Sequence, residues 1–334
     1  IDYTGGGCPH ILAEPERTNL VTYSEVYGSG TFFNATSGSV IDNTTSTSPS
    51  GDANATQVTS TGAGKIQSGG LGLTQNTDYT LSFYAKNVDA TAVTSRVLAL
   101  GGSGGSNLTS VSYISELSTT EWTKITHSFN TGTNTTIYVY ISNVLNSGGT
   151  IQLWGAQLEE GSYATSYIPT SGSTVTRNQD IFTRDGIGSL INSTEGVLFL
   201  EIAALTDDNA RRTVSLSDGS NSNRVILRYD DSSNRVQGFI KVGGATNGNI
   251  NNNSYTITNF LKIAYKWKAG DFALWINGTE VGTSADATSF GTGVLTELQF
   301  NQGDGTGDEY LGKVKQLQVY DTALTDEQLE ALTS

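Results

Sequence analysis

The stretch TDYTLSFYAK at residues 77–86 alternates strictly between two kinds of side chain. Tyr79, Leu81, Phe83 and Ala85 point one way; Thr80, Ser82, Tyr84 and Lys86 point the other. A period of two is that of a strand with one face in a core. EWTKITHSF at 121–129 and TIYVYIS at 136–142 repeat the pattern, the latter with Ile137, Val139 and Ile141 opposite Tyr138 and Tyr140. Turn-forming runs separate them: GGSGG at 101–105, residues 130–134, and NSGG at 146–149. Many short strands at this spacing read as an antiparallel sandwich. The four prolines, Pro9, Pro15, Pro49 and Pro169, all fall in expected loops or strand entries.

The second half carries the same signal. In LKIAYKWK at 261–268, Leu261, Ile263, Tyr265 and Trp267 alternate with Lys262, Ala264, Lys266 and Lys268. GVLFLEI at 196–202 reads as a core strand. Residues 223–229 and 235–242 flank DDSSN at 230–234 and predict a hairpin. Residues 271–277 follow with Phe272, Leu274 and Ile276 inward, and a strand at 311–320 closes the set. The apolar phase of that last strand slips between Val314 and Leu317, the mark of a bulge. A short helix ends the chain. Thr325 is its N-cap, Gln328 completes a capping box, and Leu324 and Leu329 form a hydrophobic staple. The expected fold is all-β: two tandem antiparallel β-sandwich (jelly-roll) domains with a short C-terminal helix. The expected divisions are an arm at 1–10, a sandwich at 11–170, a connector at 171–179 around the turn-rich IPTSGS, and a second sandwich at 180–334.

Composition narrows the function. The 334 residues contain no methionine, so a piece of a longer protein is expected. The net charge is −14, and neither half has a basic stripe, which argues against nucleic acid. No apolar run approaches the ~20 residues of a membrane span, so no membrane insertion is expected. The one cysteine, Cys8, excludes an intrachain disulfide and reads as a small buried residue.

Catalytic signatures are absent from the sequence. His10 and His127 lie in unrelated contexts, and there is neither a nucleophile elbow nor a phosphate loop. Glu159 and Glu160 are adjacent on a strand and point opposite ways, so they cannot converge on one glycosidic bond; a solvated turn is expected, and no enzyme. The run DGTGDE at 304–309 offers Asp304, Asp308 and Glu309 as ligands for Ca2+, with a polar turn as the competing reading. Asp207, Asp208, Asp230 and Asp231 are weaker metal candidates. For sugar binding, aromatic faces and amides are needed. Tyr84, Tyr138, Tyr140 and Trp154 would share one sheet face if their strands are neighbours; core packing is the alternative. Trp122, Trp267 and Trp275 read as core or cross-strand packing, and Phe32 and Phe33 as an exposed pair or a plug.

Two resemblances add to this. DYTGGGCPHILAEPERTNLVTYSE (2–25) and LWGAQLEEGSYATSYIPTSG (153–172) resemble the two ends of a β-sandwich module that recurs in bacteriophage tail-fibre and other virion proteins. KIAYKWKAGDFALWINGTEV (262–281) and YLGKVKQLQVYDTALTDEQLEAL (310–332) resemble the laminin-G, concanavalin A-like jelly roll. The resemblances imply a carbohydrate-binding-like sandwich followed by a laminin-G-like one, in an extracellular virion appendage. They also imply a preceding domain, calcium at the loop rim, other virion proteins as partners, and a homo-oligomer, commonly a trimer. The partner would be a host cell-surface glycan or receptor. Other readings are a structural spacer, the accessory part of a depolymerase, and a secreted bacterial adhesin.

Overall fold

The computed structural model describes residues 9–28, 30–36, 38–62, 64–89, 96–102, 105, 107–142 and 149–334. Cys8 lies outside the described residues, as do parts of the turns at 101–105 and 146–149. The fold is all-β, with one short C-terminal helix among the described residues. The chain divides into two compact units: Glu16–Asn178, and a discontinuous unit made of Ile1–Pro15 with Gln179–Ser334.

The Glu16–Asn178 unit is a sandwich of two antiparallel sheets. One runs in the order Thr123–Asn130, Asp78–Asn87, Thr150–Glu160, Ala55–Ser60, Ser39–Ser46. The other runs Asn107–Ser112, Arg96–Gly101, Thr136–Ser142, Ile66–Ser68, Phe33–Ala35. Tyr79, Leu81, Phe83 and Ala85 from the first and Ile137, Val139 and Ile141 from the second meet in one buried cluster, as the alternation requires. Phe33 sits in this core, and Phe32 packs edge-on against it at 5.0 Å, so the pair is a plug.

Asn19 closes this unit. Its amide is completely buried, 0% exposed. Nδ2 donates to the carbonyls of Ala156 (3.2 Å) and Ile168 (2.8 Å), and Oδ1 accepts from the amides of Val21 (3.0 Å) and Leu158 (3.2 Å). The first strand of the unit, its last long strand and the segment that follows are thereby tied at one side chain. A paired strand ribbon, Arg17–Asn19 with Val175–Arg177, extends the closure.

The discontinuous unit is a second sandwich. One sheet runs Ile11–Ala13, Gly312–Tyr320, Glu195–Ala204, Leu261–Lys268, Phe272–Ile276, Thr279–Ser284. The other runs Thr183–Arg184, Glu297–Gln299, Arg212–Ser217, Arg224–Tyr229, Val236–Val242, Ala245–Asn252. The inward residues of the 261–268 and 272–276 strands enter its core as expected. The bulge is present: Glu201 pairs with Gln316 and Ile202 with Val314, leaving Lys315 as the extra residue.

The helix Asp326–Thr333 has its capping box, with Thr325 and Gln328 exchanging bonds. Leu329 packs on the outer sheet face against Val197, Phe199, Ala264, Ala273 and Trp275. Buried Lys266 reaches Asp271 (2.7 Å) and Asp326 (3.5 Å), anchoring the start of the helix.

The expected start of the first sandwich at residue 11 is corrected. Ile11–Ala13 pairs with Gly312–Tyr320 in the discontinuous unit, Leu12 opposite Lys313. Glu14 and Asp180 clasp each other, the amide of each bonded to an oxygen of the other at 2.9 Å. The physical reason is the edge of the sheet: without this strand the outer side of Gly312–Tyr320 would present unpaired backbone groups. The phase of so short a segment gives no hint of which sheet it joins.

Replacing Asn19 with Ala strands four buried backbone groups. The expected cost is at least about 2 kcal/mol, read as a lower midpoint in chemical denaturation of the Glu16–Asn178 unit. An unchanged midpoint would show that the four bonds are dispensable.

Candidate functional site

The four aromatic candidates fall on two different sheets, so the expectation of one shared face is corrected. Tyr84 and Trp154 are direct neighbours across Asp78–Asn87 and Thr150–Glu160, with ring centroids 5.7 Å apart. Tyr167 packs tilted against Trp154, with ring centroids 4.6 Å apart. Gly155, at φ +65°, carries the irregularity that breaks the register between Trp154 and Gln157. The positive φ is what favours glycine, since a Cβ there would meet Tyr167 (3.4 Å) and Tyr84 (3.5 Å) only in ordinary contact.

The Tyr167 hydroxyl donates to Glu25 (3.0 Å) and shares a bond with Ser24 (2.6 Å). Burial, then the Glu25 charge, hold this phenol above its ordinary pKa. Trp154 is only 5% exposed, and its indole N–H is buried without a partner. This trio is a packed knot under the segment that follows Glu160.

Tyr138 and Tyr140 lie on the outward face of the other sheet, opposite the core residues Ile137, Val139 and Ile141. Strand register adds two amides to this face: Asn34 lies opposite Gln67, and Gln67 opposite Tyr140. Lys65 stands over the Tyr140 ring, its Nζ 5.7 Å from the centroid. Tyr138 is half-buried and Tyr140 is 7% exposed. Burial, and then the neighbouring Tyr138, raise the Tyr140 phenol above its ordinary pKa. The arrangement is a row of amide, amide and phenol across three strands, with a second phenol two residues along. The amides were missed in the sequence because Phe33–Ala35 and Ile66–Ser68 are three residues each, too short to show a period.

The other tryptophans divide. Trp267 is core and Trp275 packs under the helix, as expected. Trp122 lies just before its strand, half-buried, donating to the Thr47 carbonyl at 3.2 Å. It is therefore not core.

Glu159 is not in a solvated turn. It lies within Thr150–Glu160, 0% exposed, and accepts from Thr165 N (3.0 Å), Thr165 Oγ1 (2.7 Å) and Gln157 Nε2 (2.5 Å), with Arg17 at 3.8 Å. It holds the segment after the strand. Glu160 faces the other way, accepts from the Tyr79 hydroxyl at 3.3 Å, and borders a cleft of about 600 Å³ with Arg17, Leu20 and Leu73. The two carboxylates do diverge, as the strand geometry requires.

The expected calcium ligands do not converge. Asp304 accepts from Asn221 Nδ2 and from Thr306 N at 3.1 Å. Asp308 lies 3.6 Å from Arg228, and Glu309 accepts from Gly307 N at 3.1 Å. Asp207 accepts from Asn234 N, Asp208 pairs with Arg212, and Asp231 with Arg211. Asp230 pairs with Arg211, Arg228 and Arg235. Its burial opposes ionisation, but Arg228 and its other donors hold the carboxyl below its ordinary pKa. Among the described residues, no group of three or more His, Cys, Asp or Glu side chains is placed to hold a metal ion. The physical reason is that each carboxylate has its own partner, Asn221 for Asp304, Arg228 for Asp308 and the Gly307 amide for Glu309; a sequence window around 304–309 contains neither Asn221 nor Arg228. EDTA is therefore expected to leave the thermal midpoint unchanged, and a rise of several degrees on adding calcium would show that the loop reorganises around a cation.

Residues 25–146 match the CBM_4_9 family, described as a carbohydrate binding domain. Residues 200–330 match Laminin_G_3, the concanavalin A-like lectin/glucanases superfamily. The chain joins a carbohydrate-binding module to a concanavalin A-like domain. No curated protein matches.

Among solved structures, one similar chain is the Ruminococcus gnavus IT-sialidase CBM40, with 15% identity, 46% of this chain and 98% of that chain covered, and a TM-score of 0.38. Another is the CBM22-1 xylan-binding domain of Paenibacillus barcinonensis Xyn10C, with 16% identity, 46% and 99% covered, and a TM-score of 0.35. A third is the Limulus polyphemus SAP-like pentraxin, with 17% identity, 43% and 71% covered, and a TM-score of 0.36. At these values the likenesses carry nothing about ligand. Tyr138, Tyr140, Asn34 and Gln67 all lie within the residues matched by the carbohydrate-binding family; Trp154 and Tyr167 lie outside them.

Proposed function

We propose that this protein is a non-catalytic glycan-recognition fragment of a phage tail fibre or similar virion appendage. The observation that carries the glycan reading is the outward row of Asn34, Gln67 and Tyr140 with Tyr138 beside it, inside the carbohydrate-binding module. A sugar ring has apolar faces and a polar rim. The phenol rings serve the faces and the amides serve the rim. Lys65 is long and flexible, so it can leave the Tyr140 ring to admit a ligand.

The virion context is supported by the tail-fibre-like motifs at residues 2–25 and 153–172. In that setting the protein works as an extracellular homo-oligomer, a trimer, beside other virion proteins. One shallow site binds weakly; several on one fibre raise the avidity through effective concentration.

The test is a glycan array probed with the oligomeric protein and with Tyr138→Ala. The expected result is selective binding that the substitution weakens about tenfold, or ~1.4 kcal/mol, with the unfolding midpoint within about 0.5 kcal/mol of the parent. If Tyr138→Ala binds as well as the parent, this face is not the site. If the parent binds no glycan, the sandwiches are structural spacers.

A further inference from the structure

The laminin-G-like domain carries a second concave surface, on the outward face of its other sheet. The strands Arg224–Tyr229 and Val236–Val242 place Arg224 opposite Lys241, Ile226 opposite Phe239, and Arg228 opposite Gln237. The inward residues Val225, Leu227, Tyr229, Val236 and Ile240 fill the core, so this row faces out. A cleft of about 410 Å³ opens over it, bordered also by Asn249.

The positive charge here is unevenly matched. At one end Arg228 is fully engaged: it lies 2.7 Å from Asp230 and 3.6 Å from Asp308, donates to Gln237 Oε1 at 2.8 Å, and lies over the Phe239 ring at 5.2 Å. At the other end Arg224 is 6% exposed, and its Nε is buried without a hydrogen-bond partner. Its Nη1 donates to neutral acceptors, the Asn221 side chain (2.5 Å) and the Gln302 carbonyl.

Lys241, beside it, has no acidic partner among the described residues. Burial, then Arg224 and Arg228, lower the Lys241 pKa, and burial lowers that of Arg224 in spite of Asp304 and Asp308. A chain of net charge −14 thus keeps a pair of under-neutralised cations side by side in a concavity. Holding them there costs stability unless an anion joins them.

The chemistry of the surroundings selects the anion. The cations are confined to one cleft and form no stripe, which suits a single anionic group and not a phosphate backbone. Amides of Gln237 and Asn249 line the same cleft toward its Arg228 end, bonded to each other at 2.8 Å, and offer further polar contacts to the neighbouring part of a hydroxylated ligand. We infer that this cleft binds the carboxylate of an acidic sugar within a polysaccharide, with Arg224 and Lys241 as the anion-binding pair. It is a separate site from the tyrosine face, in a different domain, and does not depend on that face binding anything.

The experiment is affinity electrophoresis at low ionic strength through gels holding polygalacturonate, alginate, hyaluronan or polysialate, each beside its carboxyl-reduced neutral form, with dextran sulfate as a separate gel. The protein is compared with Lys241→Gln, Lys241→Arg and Tyr138→Ala. The expected result is retardation by at least one acidic polymer and not by its reduced form. Lys241→Gln should weaken this about tenfold, Lys241→Arg should retain it, and Tyr138→Ala should leave it intact. Lys241 makes no ion pair among the described residues, so its replacement is expected to leave the thermal midpoint in place. Retardation by none of the acidic polymers, equal retardation by the reduced forms, or full binding by Lys241→Gln would each overturn the proposal. Equal retardation by dextran sulfate would overturn it too, making the cleft a general anion patch.

Discussion

The carbohydrate-binding module depends on one buried side-chain amide. Asn19 makes two donor and two acceptor bonds to backbone that no strand ladder serves. Two of those groups, on Ala156 and Leu158, lie beside the register break at Gly155, where the long closing strand is irregular; the other two, on Val21 and Ile168, lie outside that strand. The same irregularity lets Tyr84, Trp154 and Tyr167 pack as a knot. One amide therefore serves backbone on both sides of the closure, including the stretch beside which three aromatic rings pack. Buried polar groups need such partners, and a side chain that satisfies four at once fixes the path of every segment it touches.

In the concanavalin A-like domain, polar order on the outer faces comes from charge. Lys266 is buried under the start of the helix and is matched by Asp271 and Asp326. Asp230 is buried among three arginines. These groups tie loops and the helix to sheets whose inner faces are already filled by apolar residues. In the acidic loop at 304–309, Asp308 belongs to the same scheme, facing Arg228 on a neighbouring strand.

Much of the fold could be read from alternation alone. The strands at 136–142 and 261–268 have the bounds the pattern implies, and the capping box and the bulge at Lys315 follow from local chemistry. What alternation cannot carry is which strand lies beside which. Tyr84 and Tyr138 occupy equivalent phases in similar strands, yet those strands belong to opposite sheets. Asn34 and Gln67 join the tyrosine face only through register, and the arginines that claim Asp230 and Asp308 come from separate strands. Glu159 read as solvated because its partners, Thr165 and Arg17, are set by the closure of the module and not by its immediate neighbours.

The strand Ile11–Ala13 gives the chain an unusual order of assembly. It is made before the carbohydrate-binding module, but its partner, Gly312–Tyr320, follows about 300 residues later. The carbohydrate-binding module lies wholly between them and can finish folding on the ribosome while that first strand waits, unpaired. Its docking is then a late, long-range closure whose entropic cost is reduced because the intervening chain is already compact. A nascent chain stalled before residue 312 would hold a complete module and a bare strand in search of an edge.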